Sequence, residues 1–239
     1  MRLRYSLVLL AASMILLAGC SHKKKNNPLV EIDRSQLKQY IHHSYFSKTG
    51  FHANVVIERK DSDGIHRNSG TLFVDRNDTS RLIINQKKKF TMKFTDNYAA
   101  IQTGQDKPLE LDLTNIRHNI VSFREISVLE FNPFRYLARF YKYYLDTSCK
   151  DTTRIIARII DKESGDIKID IQKETGLVLD IYFYSVSGDM GRHVHYSMPV
   201  RVGPDTIPSV VIIDFAARGQ VIRERYKLEN LVPNKEASL

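Results

Sequence analysis

The sequence predicts a mainly β protein with flanking helices, built on a strongly curved antiparallel sheet or a barrel. About ten short segments alternate apolar and polar residues with a period of two, which is typical of strands. Glycine-containing turn signals separate many of these segments, as in β-hairpins. Several strands are apolar on both faces, whereas an antiparallel sheet with one wet face alternates cleanly. The middle of the sheet is therefore expected to be covered on both sides.

The chain opens with the pattern of a bacterial lipoprotein signal. Arg2 and Arg4 precede an apolar segment over residues 5–17. At about 13 residues this segment is too short to cross a bilayer, which takes about 20, and it has the length of a secretory h-region. The sequence Leu17-Ala18-Gly19-Cys20 has the form of a lipobox, which predicts a diacylated Cys20 as the mature N-terminus. An ordinary secreted protein cut near Ala18 is the alternative.

We therefore divide the chain into a signal peptide (residues 1–19), a lipidated cysteine with a polar tether (residues 20–30) and a single domain (residues 31–239). Lys23, Lys24 and Lys25 are placed to contact anionic headgroups, or they form a solvated tether. Ser21 stands where an aspartate would signal retention in the inner membrane. We expect a lipid-anchored protein of the cell envelope, at the outer membrane and facing the periplasm.

The formal net charge is +9. Removal of Arg2 and Arg4 with the signal leaves 34 basic against 27 acidic residues, a net charge of +7. This excess suits an anionic membrane surface or an acidic partner. Because the charges are spread along the predicted strands and the chain is predicted to be exported, we expect no nucleic-acid binding.

The first predicted element of the domain is a helix. Asp33 is a favourable N-cap, Gln36 completes a capping box, and Ile32 can pack against Leu37. Apolar residues continue at helical spacing as far as Tyr45, and the segment is predicted to close at residues 48–50.

Strands follow the helix from Phe51 onward. Asp63-Gly64 predicts the first hairpin turn, and further turns are predicted at Ser164-Gly165, Thr175-Gly176 and Arg218-Gly219. The predicted strands cover residues 51–58, 70–74, 81–84, 89–94, 154–160, 167–171, 177–184 and 210–215.

An aromatic segment in the middle of the chain is predicted to be a helix over residues 133–145, with Asn132 as its N-cap and Pro133 in its first turn. Its apolar stripe either forms part of the core or acts as a mobile lid over a lipid-sized cavity. The stripe consists of Phe134, Leu137, Phe140 or Tyr141, and Tyr144.

No residue pattern indicates catalysis. His193 and His195 share one face of a strand, but no third metal ligand is evident nearby. Cys149 has no partner if Cys20 carries lipid, and a small buried side chain is its ordinary role. We expect no enzyme activity, no cofactor and no metal.

The order of these parts is similar to that of the LolA/LolB-like lipoprotein-localisation family. The features that carry the resemblance are a capped helix, a strand that begins Phe51-His52-Ala53, the Asp63-Gly64 turn, and a strand that reads Gly70-Thr71-Leu72-Phe73-Val74 before Arg76. The resemblance is most detailed over residues 33–84 and is architectural beyond them.

The resemblance implies an incomplete antiparallel β-barrel that encloses an apolar cavity under a helical lid. Such a cavity takes the acyl chains of a lipid or lipoprotein, and Arg76 stands where the family's lid-holding arginine lies. The candidate wall residues are Phe90, Met92, Phe94, Ile169, Ile171, Leu179, Ile181 and Phe183.

A lipidated Cys20 departs from the soluble carrier of this family and points to a LolB-like receptor or another lipidated relative. The predicted function is therefore binding of acyl chains in lipoprotein localisation or outer-membrane biogenesis, with a periplasmic carrier as a candidate partner. The alternative is an envelope interaction or sensor lipoprotein whose curved sheet is filled by its own side chains and takes no lipid.

Overall fold

A computed structural model describes residues 28–41, 50–74, 79–84, 88–94, 98–104, 107–112, 142–217 and 219–234. In these parts of the chain, 14 strands form one open, curved antiparallel sheet, accompanied by one short helix. The predicted mainly β architecture with a large curved sheet is confirmed.

Most strands of the second half are long, and those near the middle of the chain are short. The elements are β1 (Leu29–Ile32), α1 (Arg34–Tyr40), β2 (Phe51–Asp61), β3 (Gly64–Val74), β4 (Thr79–Ile84), β5 (Lys88–Phe94), β6 (Tyr98–Thr103), β7 (Leu109–Asp112), β8 (Tyr143–Asp146), β9 (Arg154–Asp161), β10 (Gly165–Gln172), β11 (Val178–Tyr184), β12 (Met190–Val202), β13 (Asp205–Ala217) and β14 (Gln220–Pro233).

The strand order is β1-β8-β9-β10-β11-β12-β13-β14-β2-β3-β4-β5-β6-β7. Most neighbours are consecutive in the chain, as in a meander of hairpins. Two pairings are not: β1 lies beside β8, and β14 lies beside β2. These two long-range pairings unite the beginning, middle and end of the described chain in one sheet.

Helix α1 begins as the sequence predicts. The Asp33 carboxylate accepts a hydrogen bond from the Gln36 backbone N–H at 2.8 Å, and the Gln36 side chain accepts one from the Asp33 N–H at 2.9 Å. Ile32 and Leu37 are both buried in the core. The helix is shorter than predicted, because Ile41 is already extended at φ −100° and ψ 127°. Residues 42–49 lie outside the described part of the chain.

The predicted hairpins are also found. Gly64 joins β2 to β3, Gly165 begins β10 after the turn from β9, and Gly176 lies in the turn between β10 and β11. All three glycines have a positive φ, which glycine adopts without the steric cost that a Cβ atom adds. The turn chemistry therefore sets the register of these strand pairs.

The predicted helix over residues 133–145 is wrong at its C-terminal end. Residues 143–146 form strand β8, in which Tyr143 pairs with Ile32 and Tyr144 pairs with Glu31 of β1. Aromatic residues favour strands, and an adjacent edge strand overrides the helical spacing. β1 in turn begins at Leu29, inside the stretch predicted to be a polar tether.

The sheet has two distinct faces. One face, the core face, carries the apolar core together with Leu37 and Ile41 of α1 and its C-cap. The opposite, outer face carries many charged and aromatic side chains, and apolar ones such as Val210 and Ile212. On the outer face Tyr182 is half-buried under its neighbours, since His193 stacks on it at 4.5 Å between ring centroids and the Lys168 ammonium lies 5.1 Å from its ring. Long polar side chains thus shield part of the apolar surface that the sequence placed on both faces.

Candidate functional site

The core face holds the hydrophobic core of the described chain. Ile169, Ile181, Val194 and Ile213 lie side by side on the four neighbouring strands β10 to β13, and each is fully buried. Phe183 lies one step along β11 and is also fully buried. The alternation of β-strands places these residues on one face, since successive side chains point to opposite sides of the sheet. This face is the candidate site for an apolar ligand.

Two charged residues lie within the same face. Arg192 is 2% exposed and its guanidinium carbon lies 5.5 Å from the centre of the Phe183 ring. Glu224 is 1% exposed and accepts a hydrogen bond from the Tyr226 hydroxyl at 2.6 Å, with the Arg59 guanidinium 3.7 Å away. Buried charges are costly unless they are paired or hydrogen-bonded. They give the apolar face a polar region.

The sequence reasoning missed these two residues, although a signal for them exists. Arg192 is in phase with Val194 and Tyr196 along β12, so alternation alone places it on the core face. Glu224 is likewise in phase with Ile222 and Tyr226 along β14. A charged residue in the apolar phase of a strand is therefore the pattern that would have found them.

Solved structures with the same architecture are known. A LolA superfamily protein from Nitrosomonas europaea is 16% identical, with a TM-score of 0.55 over 84% of this chain and 93% of the other. A DUF1329 family protein from Desulfovibrio piger is 10% identical, with a TM-score of 0.60 over 86% and 92%. A domain from Vibrio parahaemolyticus named for outer membrane lipoprotein sorting is 12% identical, with a TM-score of 0.59 over 84% and 91%.

The chain has a LolA-like fold. The predicted resemblance is thereby confirmed at the level of the fold, to which identities this low confine the comparison. No protein-family model and no curated protein sequence matches the chain.

Within this LolA-like fold, the predicted site residues fall into three groups. Ile181 and Phe183 lie on the core face, and their role as walls of a cavity stays a prediction. Tyr144, predicted on the helical lid, lies instead on strand β8 and is half-buried. A third group lies outside the described residues or, for the three β5 positions, outside the described side chains: Cys20, Arg76, Phe90, Met92, Phe94, Phe134, Leu137, Phe140 and Tyr141.

Leu179, predicted to be a cavity wall residue, lies at an irregularity in the pairing of β11 with β10. A one-residue irregularity lets Asp170 pair with Asp180 while Ile171 pairs with Val178, so Leu179 has no partner on β10. A bulge of this kind shifts the alternation of a strand. Leu179 lines an open groove of about 380 Å³, whose lining includes Arg154, His195 and Met198.

The two histidines of β12 share one acceptor on the outer face. His193 Nε2 and His195 Nδ1 each donate to Oδ1 of Asp180, both at 2.8 Å. Burial of the Asp180 carboxyl raises its pKa, but the two hydrogen bonds and the attraction of both rings outweigh burial and hold the pKa below the ordinary 3.8. The His193–His195 pair is thus engaged with a carboxylate that pattern reading did not find, because Asp180 comes from the adjacent strand.

Among the residues that the structure describes, no cluster of three or more histidine, cysteine, aspartate or glutamate side chains could hold a metal ion. The helix in the described part of the chain is too short and too polar to cross a membrane.

We expect Asp180→Asn to lower the free energy of unfolding at neutral pH by about 1–3 kcal/mol, since a buried carboxylate loses its charge while two donors remain. The folded-state pKa is lowered, so the stabilisation is complete above pH 3.8 and is lost as the pH falls through the folded value. As the pH falls below 4, the free energy of unfolding should therefore decrease less in the variant than in the parent. Urea unfolding at a series of pH values measures this difference.

Asp63→Asn, at the exposed β2–β3 turn, is the matched control. It removes the same charge from a solvated position and should leave the neutral-pH stability nearly unchanged. Equal effects of the two substitutions would contradict a special role of Asp180.

Proposed function

We propose that the protein is a lipid-anchored envelope protein that binds acyl chains of a lipid or lipoprotein against the core face of its sheet. The observation that supports this most directly is the continuous apolar surface formed by β10 to β13 within a LolA-like fold. A relative in fold is named for outer membrane lipoprotein sorting, which suits the same general role.

The energetics of such binding need no catalytic chemistry. Each buried acyl methylene contributes about 0.8 kcal/mol, so two chains supply ample affinity from apolar contact alone. Because the core-face side chains are themselves fully buried, an acyl chain must displace whatever covers them. Transfer therefore requires two states of the cover that differ by only a few kcal/mol.

Arg192 and Glu224 suit the polar end of such a ligand. An acyl chain carries an ester or amide at its head, and a guanidinium in an apolar surrounding is a strong hydrogen-bond donor to carbonyl and phosphate oxygens. The buried Arg192 would thereby orient the chain without a reaction. We propose accordingly that the protein is a binder and not an enzyme.

The anchor and the location complete the proposal. A diacylated Cys20 would hold the domain at the outer membrane on its periplasmic side, with Lys23, Lys24 and Lys25 beside anionic headgroups. A periplasmic carrier would then be the partner that delivers the cargo.

A second candidate is an envelope interaction or sensor lipoprotein whose sheet is filled by its own side chains. The zero exposure of Ile181 and Phe183 favours this candidate, since side chains that are already packed leave no dry space at those two positions.

Photo-crosslinking from position 183 in living cells distinguishes the two. We would place p-benzoylphenylalanine at Phe183 and, as the control, at the adjacent Tyr184, which is half-buried on the outer face. Trypsin releases both positions in the peptide 174–192, far from the anchor at Cys20, so an added mass does not arise from the protein's own acylation.

A lipid or lipopeptide adduct at position 183 and not at 184 is the result that the lipid-binding proposal predicts. If position 183 crosslinks only to other peptides of the same chain, the lipid-binding proposal is overturned and the filled sheet is favoured. Equal lipid adducts at both positions would indicate surface contact with the membrane and would also contradict a core-face site.

A further inference from the structure

Strand β14 presents a row of basic side chains on the outer face. Arg223, Arg225 and Lys227 alternate with the buried Glu224 and Tyr226, so all three basic residues point away from the core. Lys60 of β2 lies directly beside Arg223 in the register. The four cations form one patch across two neighbouring strands.

Carboxylates neutralise only part of this patch. Arg223 makes a bidentate pair with Asp214, at 2.6 and 2.8 Å, and Lys227 pairs with Glu229 at 2.7 Å. Within the described residues, neither Lys60 nor Arg225 has a hydrogen bond or an ion pair from its side chain. Two of the four cations in the described chain therefore have no ion pair, although Glu58 stands opposite Arg225 in the register.

These two cations flank a groove of about 260 Å³. Its floor is apolar, formed by Met198, Val210 and Ile212. Lys60 and Arg225 stand on adjacent strands two positions apart, and diagonal neighbours of this kind have Cα atoms about 7–8 Å apart. Two flexible cationic side chains at this spacing can converge on one anionic group.

Met198 marks the apolar end of the groove. It is 64% exposed and has a φ of +52°, a conformation that a methionine rarely adopts. The Ser209 hydroxyl donates a hydrogen bond to the Met198 carbonyl at 2.7 Å. The backbone thus presents an apolar side chain to solvent next to the cations, where it can contact an apolar portion of a ligand.

The one carboxylate that lines the groove is engaged elsewhere. Glu58 pairs with Arg67 of β3 at 3.0 Å, on the side away from β14. A second groove, of about 470 Å³, shares Lys60 and Arg223 with the first and ends at Val221, which is 72% exposed. The cationic centre is therefore bounded by exposed apolar side chains on both sides.

We propose that this groove binds the phosphate headgroup of an anionic phospholipid at a bilayer surface. Arginine matches the geometry of phosphate oxygens, and the apolar floor suits the glycerol and the first methylenes of a lipid. The groove lies on the outer face, and its volume of about 260 Å³ suits a headgroup, which separates this site from the core face. The proposal holds whether or not the core face takes a lipid.

The test uses the full-length protein, labelled with 13C at the methionine methyl groups and held in uncharged maltoside micelles. The Met198 methyl resonance is assigned with Met198→Leu. Because Met198 also borders the groove beside Leu179, the Lys60 and Arg225 variant identifies which of the two grooves a shift reports. Micelles are doped with phosphatidylglycerol or with phosphatidylcholine, and inorganic phosphate and a short acidic peptide are titrated separately.

We expect the Met198 resonance to shift saturably with phosphatidylglycerol and not with phosphatidylcholine. The double variant Lys60→Gln, Arg225→Gln should weaken this binding about 25-fold, since each basic residue near an anionic surface contributes about fivefold. The control Lys162→Gln, Lys173→Gln removes the same charge from exposed positions in the β9–β10 and β10–β11 turns, and should bind like the parent.

Four outcomes would overturn the proposal. Equal shifts with the two lipids, or equal weakening by the two double variants, would show that no headgroup site exists in the groove. Inorganic phosphate that binds as tightly as phosphatidylglycerol would assign the groove to a soluble anion. An acidic peptide that displaces the lipid would assign the groove to a protein partner. None of these results depends on crosslinking at Phe183.

Discussion

Replacing Cys20 with serine is expected to abolish lipid attachment to the protein. The residues before Cys20 combine a basic start, a short apolar segment and small residues at the cleavage position, and only a cysteine thiol accepts the diacylglyceryl group at such a site. Metabolic labelling with an alkyne fatty acid should fall from stoichiometric incorporation to background. Intact-mass measurement should show that the variant also keeps its signal segment.

The other cysteine provides the matched control. Cys149 lies half-buried in the turn after β8, where its thiol contacts the Asp151 carbonyl oxygen at 3.7 Å. Cys149→Ser should leave fatty-acid incorporation and the mature mass, apart from the substitution itself, unchanged. Retained labelling in Cys20→Ser, or its loss in Cys149→Ser, would contradict the anchor and with it the proposed location.

The second large effect is expected at Gly165. An alanine Cβ at this position would lie 2.0 Å from the Tyr184 carbonyl oxygen, and the backbone has a φ of +116°. The clash is with main chain on β11, which cannot move aside like a flexible side chain. We expect Gly165→Ala to lower the free energy of unfolding by about 3 kcal/mol or more, from backbone strain and overpacking together.

Gly64→Ala separates the two contributions. Gly64 has nearly the same φ, +125°, but an alanine Cβ there would have no neighbouring atom within 4 Å. The substitution should cost only the strain of the left-handed backbone, about 1–3 kcal/mol. Urea unfolding of both variants gives the difference. If Gly64→Ala and Gly165→Ala lower the free energy of unfolding equally, the close approach of Gly165 to β11 does not contribute to stability.

Local sequence signals predicted the parts of the structure that depend on near neighbours in the chain. The capping box of Asp33 and Gln36 and the hairpin turns at Gly64, Gly165 and Gly176 were all found where the sequence placed them. These features are set by backbone conformations within a few residues, so their chemistry can be read directly.

Features set by distant parts of the chain could not be predicted in the same way. Tyr143 and Tyr144 are drawn into a strand by β1, more than a hundred residues away, against a helical spacing of apolar side chains. Asp180 approaches His193 and His195 only through the pairing of β11 with β12. The bulge at Leu179 changes which residues of β11 share a face. No residue at the bulge, such as a glycine, signals it in the sequence.

The pairing of β14 with β2 has a consequence for how the protein reaches its destination. The two strands are matched from Lys60 beside Arg223 to Phe51 beside Pro233, near opposite ends of the described chain. This seam in the centre of the sheet cannot close until nearly the whole polypeptide is available, because contacts of such sequence separation form late. The export that we propose for this chain would be served by this delay, since premature compaction on the side of synthesis would block passage across the membrane.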